Sequence, residues 1–552
     1  MFFVGSSALF ALLCFSPLLT RGQSNATVVL DYGTFNGATN ETSGIVSYLG
    51  VRFADAPIGD LRWHAPVSPP TTHLGEVDAA SFGPVCIATS QSSSTVDFNR
   101  SSEDCLFGNV YVPIGASTSA PLPVLVYWHG GGYQGGNSRS YTPEWLMQSS
   151  TEPFIFVTFQ YRLGQFGFLG GSLLAADGVI NAGLLDQRAA LRWVQRYIGE
   201  FGGNSSHVTI WGQSAGAGST MFQVMANGGD NEDLFHAAMG DSASVNYMPL
   251  YNESYPEELF SQFASLAYVT PSITRCFSFV FCSGCEGLGN DTLTCLRAAS
   301  SNTLAVAGNT TIKQRTSTLY SFSPIIDGTF IREGPVEAFT NGQFAQIPLF
   351  YGSNTNEGAN WSARLTNAAA NTSTPNATET TVYNFLQGQY GNFTLESFNK
   401  ALELYPIEDY NNSLVLQGQQ MYGEMRFICT AVLIAGSAAD ADLDVYHYHY
   451  DNPHLGDYHH YELQAMFPDE EPDTTPDDND EALFEIMREY WTSFATSDVP
   501  QAASGPDWEI ASSSDGSPRM LLQPGNVQLE NVTDALNERC EFWYSIAEEL
   551  RI

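Results

Sequence analysis

The feature that most constrains this chain is the pentapeptide GQSAG at 212–216, which directly follows a short apolar run at 208–211. Such a run ahead of a glycine predicts a buried strand that ends in a sharp turn. Glycines two positions before and after Ser214 let the strand and a following helix approach closely, and the serine hydroxyl then projects from the sheet edge. The pattern predicts a nucleophilic Ser214, although a bare G-x-S-x-G also arises by chance in glycine-rich chains.

A second glycine-rich segment supplies what a nucleophilic serine needs. The sequence HGGG at 129–132 follows a predicted strand at 123–128. Glycines there expose backbone N–H groups to a developing negative charge. The expected donors are Gly131 and Gly132, with the N–H of Ala215 as the third. A plain glycine-rich turn is the alternative interpretation.

Strand-like and helix-like segments alternate along the chain. The runs 123–128, 154–160 and 208–211 have the composition of buried strands, whereas 185–197 places its apolar residues at helical spacing. A strand–helix–strand rhythm of this kind indicates parallel strands joined by helices. We therefore predict an α/β fold with a large, mostly parallel central sheet and helices on both faces.

The order of these motifs resembles the type-B carboxylesterase/lipase family of α/β-hydrolases, which includes cholinesterases and fungal lipases. GVRFADAP at 50–57 looks like the family's N-terminal segment, and SEDCLFGNVYVP at 102–113 is similar to its EDCL signature. Gly108 stands where the family usually has Leu, and Ser205 where it usually has Pro, but neither touches the predicted chemistry. The resemblance covers most of the chain and implies one α/β-hydrolase domain over 23–552.

The resemblance also implies the partners of the serine. YGSNTNEG is similar to the family's acid segment and makes Glu357 the matching carboxylate. HHYEL is similar to the family's H-G-x-E stretch, with His459 at the base and His460 in the glycine position. His460 is the alternative base, and the spacing to Glu462 favours His459. The implied chemistry is ester hydrolysis by a Ser-His-Glu triad, which needs no cofactor and no metal.

The N-terminus and the cysteine count indicate a secreted protein. An apolar run from Leu9 to Leu19, followed by small residues, makes 1–22 resemble a signal peptide, although no basic residue precedes the run. A membrane anchor is the alternative, but the run is shorter than the ~20 residues that a span needs. Thirteen glycosylation sequons and eight cysteines beyond the signal favour an extracellular, disulfide-bonded glycoprotein with no stable membrane anchoring.

The family resemblance implies two disulfides, Cys86–Cys105 and Cys285–Cys295. Four cysteines remain, and their pairing stays open. Cys276–Cys282 with Cys429–Cys540 is the arrangement that we consider for them.

The loop within the first of these disulfides bears on the substrate. In the family's interfacial lipases it is a longer apolar lid, whereas here residues 87–104 are short and mostly polar. We therefore expect a small-molecule substrate, a soluble or shorter acyl ester, and keep an interfacial triacylglycerol lipase or a cholinesterase as alternatives. A non-catalytic adhesion or binding member is the competing class, and the presence of Ser214, Glu357 and His459 argues against it.

Charge and histidine content bear on other partners. The chain has 21 Lys and Arg against 59 Asp and Glu, a net charge of −38, which repels nucleic acid, anionic membranes and other anionic ligands. His447 and His449 on one strand face, or the acidic loop 468–480, could ligate a metal. The favoured interpretation of the two histidines is an aromatic-rich strand at 446–450. That of the acidic loop is a solvated loop before a helix near Glu481, so no metal is expected at either place.

Overall fold

The computed structural model describes most of the chain in four stretches, residues 26–90, 97–267, 284–467 and 474–552. The predicted signal segment 1–22, both Cys276 and Cys282, and the first part of the acidic loop, 468–473, lie outside the described residues. No helix in the four described stretches is long and apolar enough to cross a membrane.

The strands of the described residues are numbered in chain order: β1 Thr27–Leu30, β2 Gly33–Asn36, β3 Ala38–Asn40, β4 Ile45–Arg52, β5 Glu76–Asp78, β6 Val85–Cys86, β7 Ser101–Ser102, β8 Phe107–Pro113, β9 Leu122–Trp128, β10 Ile155–Phe159, β11 Gly203–Gly212, β12 Ala237–Asp241, β13 Leu349–Asn354, β14 Val445–Tyr450, β15 Arg519–Leu522 and β16 Gln528–Glu530.

The α-helices are numbered likewise: α1 Glu144–Ser149, α2 Gly164–Gly167, α3 Ser172–Asp177, α4 Ala182–Tyr197, α5 Ala215–Gly229, α6 Ser254–Leu266, α7 Asp291–Ala298, α8 Ser301–Gln314, α9 Pro335–Thr340, α10 Glu379–Gln389, α11 Leu395–Leu404, α12 Leu414–Gly423, α13 Cys429–Asp440, α14 Asp478–Ser497, α15 Asp534–Ser545 and α16 Ala547–Leu550. A π-helical turn, Glu424–Ile428, joins α12 to α13. Short 3-10 turns occupy Gly59–Leu61, Ser138–Ser140, Ile198–Phe201, Ser362–Arg364, Ile407–Tyr410 and Tyr461–Ala465.

Eleven strands form one central sheet in the order β16-β15-β14-β13-β12-β11-β9-β10-β8-β4-β3. The pairings from β10 across to β15 are all parallel. The strands beyond them at both edges pair antiparallel. The predicted large, mostly parallel sheet is confirmed, and the antiparallel edges are a feature that the strand–helix rhythm did not reveal.

Side chains of β9 alternate between two hydrophobic cores, one on each face of the sheet. Val124 and Val126 belong to the core that includes residues of α4, α5 and α13. Leu125 and Tyr127 belong to the core that includes residues of α14. Because successive strand residues point to opposite faces, a strand covered by helices on both sides is apolar at every position. This is why 123–128 reads as a continuous apolar run.

The predicted local elements occur with shifted ends. The helix expected over 185–197 begins at Ala182, because Asn181 takes a left-handed conformation (φ 58°) and ends the preceding loop. The helix expected near Glu481 begins at Asp478, where the side chain of Asp477 accepts the first free N–H groups. Apolar spacing marks the buried face of a helix and not its capped end, so both starts lie a few residues earlier than predicted.

The departure from the family pattern at Gly108 has a local cause. Gly108 lies on β8 opposite Phe159 of β10. A Cβ at this position would lie 2.5 Å from the ring carbons of Phe159. The aromatic ring therefore occupies the space that a leucine side chain would need.

Three disulfides occur in the described residues: Cys86–Cys105, Cys285–Cys295 and Cys429–Cys540. The first two are the pairs that the resemblance implied. The third joins the start of α13 to α15, and it matches the pairing that the sequence left open.

Candidate active site

Ser214 lies on the turn between β11, which ends at Gly212, and α5, which begins at Ala215. Its backbone has φ 58° and ψ −121°, a conformation that costs a non-glycine residue about 1–3 kcal/mol. The N–H of Ser214 donates to the backbone oxygen of Asp241 at 2.9 Å, which anchors the turn to the end of β12. The serine thus occupies the strained strand-to-helix turn that its motif predicts.

The two glycines of the motif are required by close contacts. A Cβ at Gly216 would lie 2.0 Å from the backbone oxygen of Trp128, and one at Gly212 would lie 2.4 Å from the backbone carbon of Gly216. Any side chain at either position would push α5 away from β9 and β11. The spacing of the pentapeptide is therefore a packing requirement of this turn.

His459 joins the serine to a carboxylate. Its Nε2 lies 2.8 Å from Oγ of Ser214, and its Nδ1 lies 2.6 Å from Oε2 of Glu357. The three residues follow β11, β13 and β14, whose carboxyl ends meet at one edge because these strands are parallel. Glu357 is fully buried and His459 is 8% exposed, so the structure brings the three predicted residues together away from bulk water.

The neighbouring His460 does not take part in the hydrogen-bonded triad. It is exposed and makes no hydrogen bond to Ser214 or Glu357 in the described residues. Its φ is 72°, a left-handed conformation that favours glycine. His460 therefore adopts the backbone of the glycine it replaces, and the geometry favours His459 as the base.

Two residues that the sequence analysis missed hold the other oxygen of Glu357. The hydroxyl of Ser242 and the N–H of Asn354 both donate to Oε1, the latter at 2.8 Å. The side chain of Asn354 also donates to the backbone oxygen of Tyr458 at 2.7 Å, which fastens the acid loop to the histidine loop. Asn354 stands three residues before Glu357, a turn signal visible in the sequence, whereas nothing local marks Ser242.

The HGGG loop follows β9 directly. Gly131 and Gly132 have φ values of 111° and 63°, and a Cβ at Gly132 would lie 2.0 Å from Cε1 of Tyr320. The N–H groups of Gly131, Gly132 and Ala215 donate to no other protein group in the part of the chain that the structure describes. Gly131 and Gly132 line the cavity that contains Ser214, and Ala215 follows Ser214 directly in the chain.

His129 shapes this loop and stays neutral. Its ring stacks on Tyr161 with centroids 4.4 Å apart, and the Tyr161 hydroxyl donates to the backbone oxygen of His129 at 2.7 Å. Complete burial lowers the pKa of His129 to about 4. A neutral ring adds no charge next to the glycine N–H groups, so the histidine acts here as a packing residue.

Ser214 and His459 open into a cavity of about 810 Å³. Trp361, whose ring centroid lies 5.4 Å from that of His459, and Arg364 also line it. A larger hollow of about 1110 Å³ lies beside Ile552 and includes none of these residues. The smaller cavity is the one that holds the reactive groups.

A buried carboxyl lies under the nucleophile turn. Asp241 accepts hydrogen bonds from the indole N–H of Trp211 at 2.7 Å and of Trp491 at 3.2 Å, and from the Tyr448 hydroxyl at 3.2 Å. Burial raises the pKa of Asp241 to about 7, and these three donors oppose the rise only in part. No pattern in the sequence marks this group, since Asp241 ends a strand, Ala237–Asp241, whose other residues are apolar or glycine.

Replacing Asp241 with asparagine tests that raised pKa. Unfolded aspartate has a pKa near ~3.9, so between that value and about 7 the folded chain holds a proton that the unfolded chain lacks, and folded stability falls as pH rises. Asparagine cannot ionise. Relative to wild type, Asp241→Asn should therefore gain roughly 2–3 kcal/mol of stability between pH 5 and pH 8, measured by urea unfolding at both values.

The exposed Asp60→Asn serves as the matched control, because its effect on stability should be the same at both pH values. If Asp241→Asn also shows the same difference from wild type at pH 5 and pH 8, the carboxyl does not titrate in this range and the prediction is wrong.

The histidines considered as metal ligands make other contacts. Nδ1 of His447 lies 2.9 Å from the backbone oxygen of Gly516, and Nδ1 of His449 lies 2.9 Å from the Glu530 carboxylate. Neither belongs to a set of three clustered candidate ligands in the described residues. Two other sets do cluster, each with atoms within 4.8 Å of one another: His207, His236 and Asp498, and His454, Asp477 and Asp480. Each is joined internally by a histidine–carboxylate hydrogen bond, and neither lines the active-site cavity.

A comparison with known protein families agrees with this fold and this site. A model of the carboxylesterase family matches residues 24–543. The chain therefore belongs to the carboxylesterase family, and the resemblance drawn from its motifs is confirmed.

Individual relatives agree with this membership. Lipase 2 of Geotrichum candidum is 32% identical over 400 residues, which cover 65% of this chain and 66% of the lipase, just under two thirds of that relative's length. Secreted lipase 1 of Botryotinia fuckeliana is 35% identical over 62% of this chain and 60% of the lipase. The crystal structure of Aspergillus niger EstA, 28% identical, superposes with a TM-score of 0.80 over 96% of this chain and 99% of EstA. The predicted fold class is confirmed.

Proposed function

We propose that this protein hydrolyses carboxylic esters through a covalent acyl-enzyme, with Ser214, His459 and Glu357 as its catalytic triad. The observation that carries the proposal is the hydrogen-bonded chain from the serine through the imidazole to the buried carboxylate, at 2.8 and 2.6 Å. Membership of the carboxylesterase family supports the same chemistry.

In the acylation step, Oγ of Ser214 attacks the ester carbonyl carbon while Nε2 of His459 takes the hydroxyl proton. His459 then gives this proton to the oxygen of the departing alcohol, and an acyl-serine remains. Glu357 accepts the Nδ1–H hydrogen bond, so it fixes the tautomer and stabilises the imidazolium. In the second step His459 takes a proton from water, the resulting hydroxide attacks the acyl-serine, and the acid leaves as Ser214 regains its proton.

The negative charge that develops on the carbonyl oxygen is stabilised by backbone N–H groups. In this proposal Gly131, Gly132 and Ala215 donate to that oxygen, and the positive φ values of the two glycines support the assignment by aiming the amides away from ordinary backbone partners. Loss of one such donor typically lowers a rate by ~10²–10³-fold. No step calls on a metal or a cofactor.

The substrate class in this proposal is a soluble or shorter acyl ester. Residues 87–90 and 97–104, the described parts of the loop that is a lid in interfacial lipases, include few apolar side chains, and Phe98 is the one large exposed apolar residue among them. A choline ester is less well supported, because the guanidinium carbon of Arg364 already lies over the Trp361 ring at 4.9 Å. That face is the one a quaternary ammonium group would need.

A series of p-nitrophenyl esters tests the reaction and the substrate class together. We expect kcat/KM to be highest for acetate or butyrate and to fall for octanoate and palmitate, with no rise in rate when an insoluble ester passes its solubility limit. An organophosphonate should abolish the activity at one equivalent. Strong activation at an emulsion interface would instead favour the triacylglycerol lipase alternative, and no turnover of any ester would favour a non-catalytic member.

Secretion and domain organisation are part of the proposal. The apolar N-terminal segment 1–22 acts as a signal peptide, and 23–552 forms one domain in an extracellular protein. A family match that runs unbroken over 24–543 and a relative named as a secreted lipase support this. Sequencing the N-terminus of the mature protein from culture medium tests it, with cleavage after Gly22 as the expected result.

A further inference from the structure

The active-site cavity differs in charge from the rest of the chain. Among the described residues that line it, none is an aspartate or a glutamate, and the one permanently charged side chain is that of Arg364. The whole sequence, in contrast, has 59 acidic residues against 21 basic ones. A cationic cavity in so acidic a chain is not what composition alone leads one to expect.

Arg364 is held at the cavity by aromatic contacts and not by an ion pair. Its Nη1 donates to the Tyr320 hydroxyl at 3.3 Å, and its guanidinium carbon lies 4.9 Å from the centre of the Trp361 ring. Arg364 is exposed and forms no salt bridge within the described stretches of the chain. The remaining guanidinium N–H groups are therefore free to bind an anion, and guanidinium suits a carboxylate because it can donate two parallel hydrogen bonds.

The two aromatic residues that contact Arg364, Trp361 and Tyr320, also contact the proposed catalytic groups. Trp361 packs beside the ring of His459, with centroids 5.4 Å apart. Tyr320 fills the space over Gly132, where a Cβ would meet its ring at 2.0 Å. Trp361 therefore lies between Arg364 and the proposed base, and Tyr320 lies between Arg364 and a proposed oxyanion donor. A small ester could contact both the serine and the guanidinium.

A second guanidinium reinforces the positive charge. Arg426 is 3% exposed, and its guanidinium carbon lies 5.0 Å from the Tyr320 ring centre and 5.4 Å from that of Phe427. Its Nε has no hydrogen-bond partner, and no carboxylate pairs with it in the part of the chain described here. A buried cation without a counterion raises the potential around it far more than an exposed one does.

The acidic groups near the triad do not cancel this charge. Glu357 lies behind His459, to which it is hydrogen-bonded, and it is not among the residues that line the cavity. Burial raises the pKa of Glu462 well above its usual range, which favours its neutral form, and raises that of Asp241 to about 7, so Asp241 is only partly ionised near neutral pH. Among the described residues that line the cavity, the charged side chain is therefore positive, and it lies on the Tyr320 side.

We propose that Arg364 forms a carboxylate-binding subsite, so that the enzyme acts preferentially on esters in which the acyl or the alcohol part carries a carboxylate. This inference rests on the proposed ester hydrolase function and names its substrate class. Half-esters of dicarboxylic acids and hydroxybenzoic acids acylated on the phenolic oxygen have the required chemistry. The acidic surface repels such anions at long range, but at about 0.15 M salt the Debye length is only ~8 Å, so a local guanidinium contact outweighs it.

Two substrate pairs, each comparing an anionic ester with the neutral ester of its free carboxylate, test the subsite in about 0.15 M NaCl. They are monoethyl against diethyl adipate, with the charge on the acyl part, and 4-acetoxybenzoate against its methyl ester, with the charge on the alcohol part. We expect wild type to prefer the anionic member of at least one pair. Arg364→Gln should raise KM for that anion about 10-fold, which is the scale of one charge-assisted hydrogen bond, with kcat and the neutral ester changed less than about 2-fold. Arg364→Lys should keep part of the preference.

The control variant is Arg332→Gln, which removes an exposed guanidinium that forms no ion pair in the described residues and does not line the cavity. It should leave both pairs unchanged. Equal loss on anionic and neutral esters in Arg364→Gln would mean that Arg364 only supports the cavity wall, and would overturn the subsite.

A binding measurement separates failure of the subsite from failure of the proposed function. Adipate and 4-hydroxybenzoate are titrated calorimetrically into wild type and Arg364→Gln, and the expected result is about 10-fold weaker binding of at least one anion in the variant. Hydrolysis of neutral esters with no anion preference and equal anion binding overturns the subsite and leaves the ester hydrolase intact. If wild type hydrolyses neither member of either pair but turns over p-nitrophenyl acetate, the subsite is overturned and the ester hydrolase stands. If it also turns over no p-nitrophenyl ester, the proposed function fails and the substrate class fails with it.

Discussion

Ser214→Ala is expected to lower kcat/KM for p-nitrophenyl acetate by about 10⁴–10⁶-fold, because it removes the only atom that can form the acyl-enzyme. The variant should fold normally, since alanine removes only the hydroxyl that hydrogen-bonds to His459 and bears the same backbone strain at φ 58° as serine does. It should also lose covalent labelling by an organophosphonate. The measurements are ester kinetics, intact-mass spectrometry after labelling, and a thermal melt.

The matched control for this variant is Ser205→Ala, which makes the same chemical change on the same strand, β11, away from the turn. It should keep full labelling and full activity. Ordinary turnover in Ser214→Ala would show that the nucleophile is another residue, and the triad assignment would then be wrong.

Glu357→Gln is expected to lower kcat by about 10³–10⁴-fold while KM changes little, because a neutral amide no longer stabilises the imidazolium. The carboxylate is fully buried and accepts hydrogen bonds at both oxygens, from His459 on one side and from Ser242 and Asn354 on the other. A glutamine fills the same volume, so the loss should come from charge and tautomer and not from unfolding. Steady-state kinetics with a p-nitrophenyl ester measure the loss of activity, and a thermal melt shows whether the variant is still folded.

Glu462→Gln provides the comparison, because Glu462 is a second fully buried carboxyl that does not contact His459. Burial raises the pKa of Glu462 well above its usual range, so the neutral acid is the form that glutamine imitates. We expect a loss of at most about 10-fold in this variant. A loss in Glu357→Gln as small as that would contradict its role as the orienting acid.

Parts of the site can be predicted from the sequence because their residues form short, continuous motifs. The contacts that require the glycines are made with distant residues, Trp128 for Gly216 and Tyr320 for Gly132, but the pattern of residue types stands within a few consecutive positions. Apolar runs likewise mark strands that are buried on both faces. The sequence therefore predicts these parts together with their approximate bounds.

Other features depend on which distant segments meet. The sequence left His459 and His460 as alternatives. The fold favours His459 because its ring hydrogen-bonds to both Ser214 and Glu357, whereas His460 bonds to neither in the described residues. Ser242 supports Glu357 from 115 residues away, and no local pattern predicts that contact. The antiparallel edges of the sheet are also set by pairing between strands that no periodicity reveals.

By itself, the sequence determined the family, the parallel sheet and the nucleophile turn, because the glycine motifs and the apolar periodicity are patterns of residues that are close together in the chain. Only the tertiary structure decided how the triad is held, that Asp241 lies buried beneath it, and that Arg364 faces the same cavity without a carboxylate partner in the described residues. The physical reason is that burial and charge pairing are properties of a location in space. Residues far apart in the chain share such a location only after the strands have been ordered.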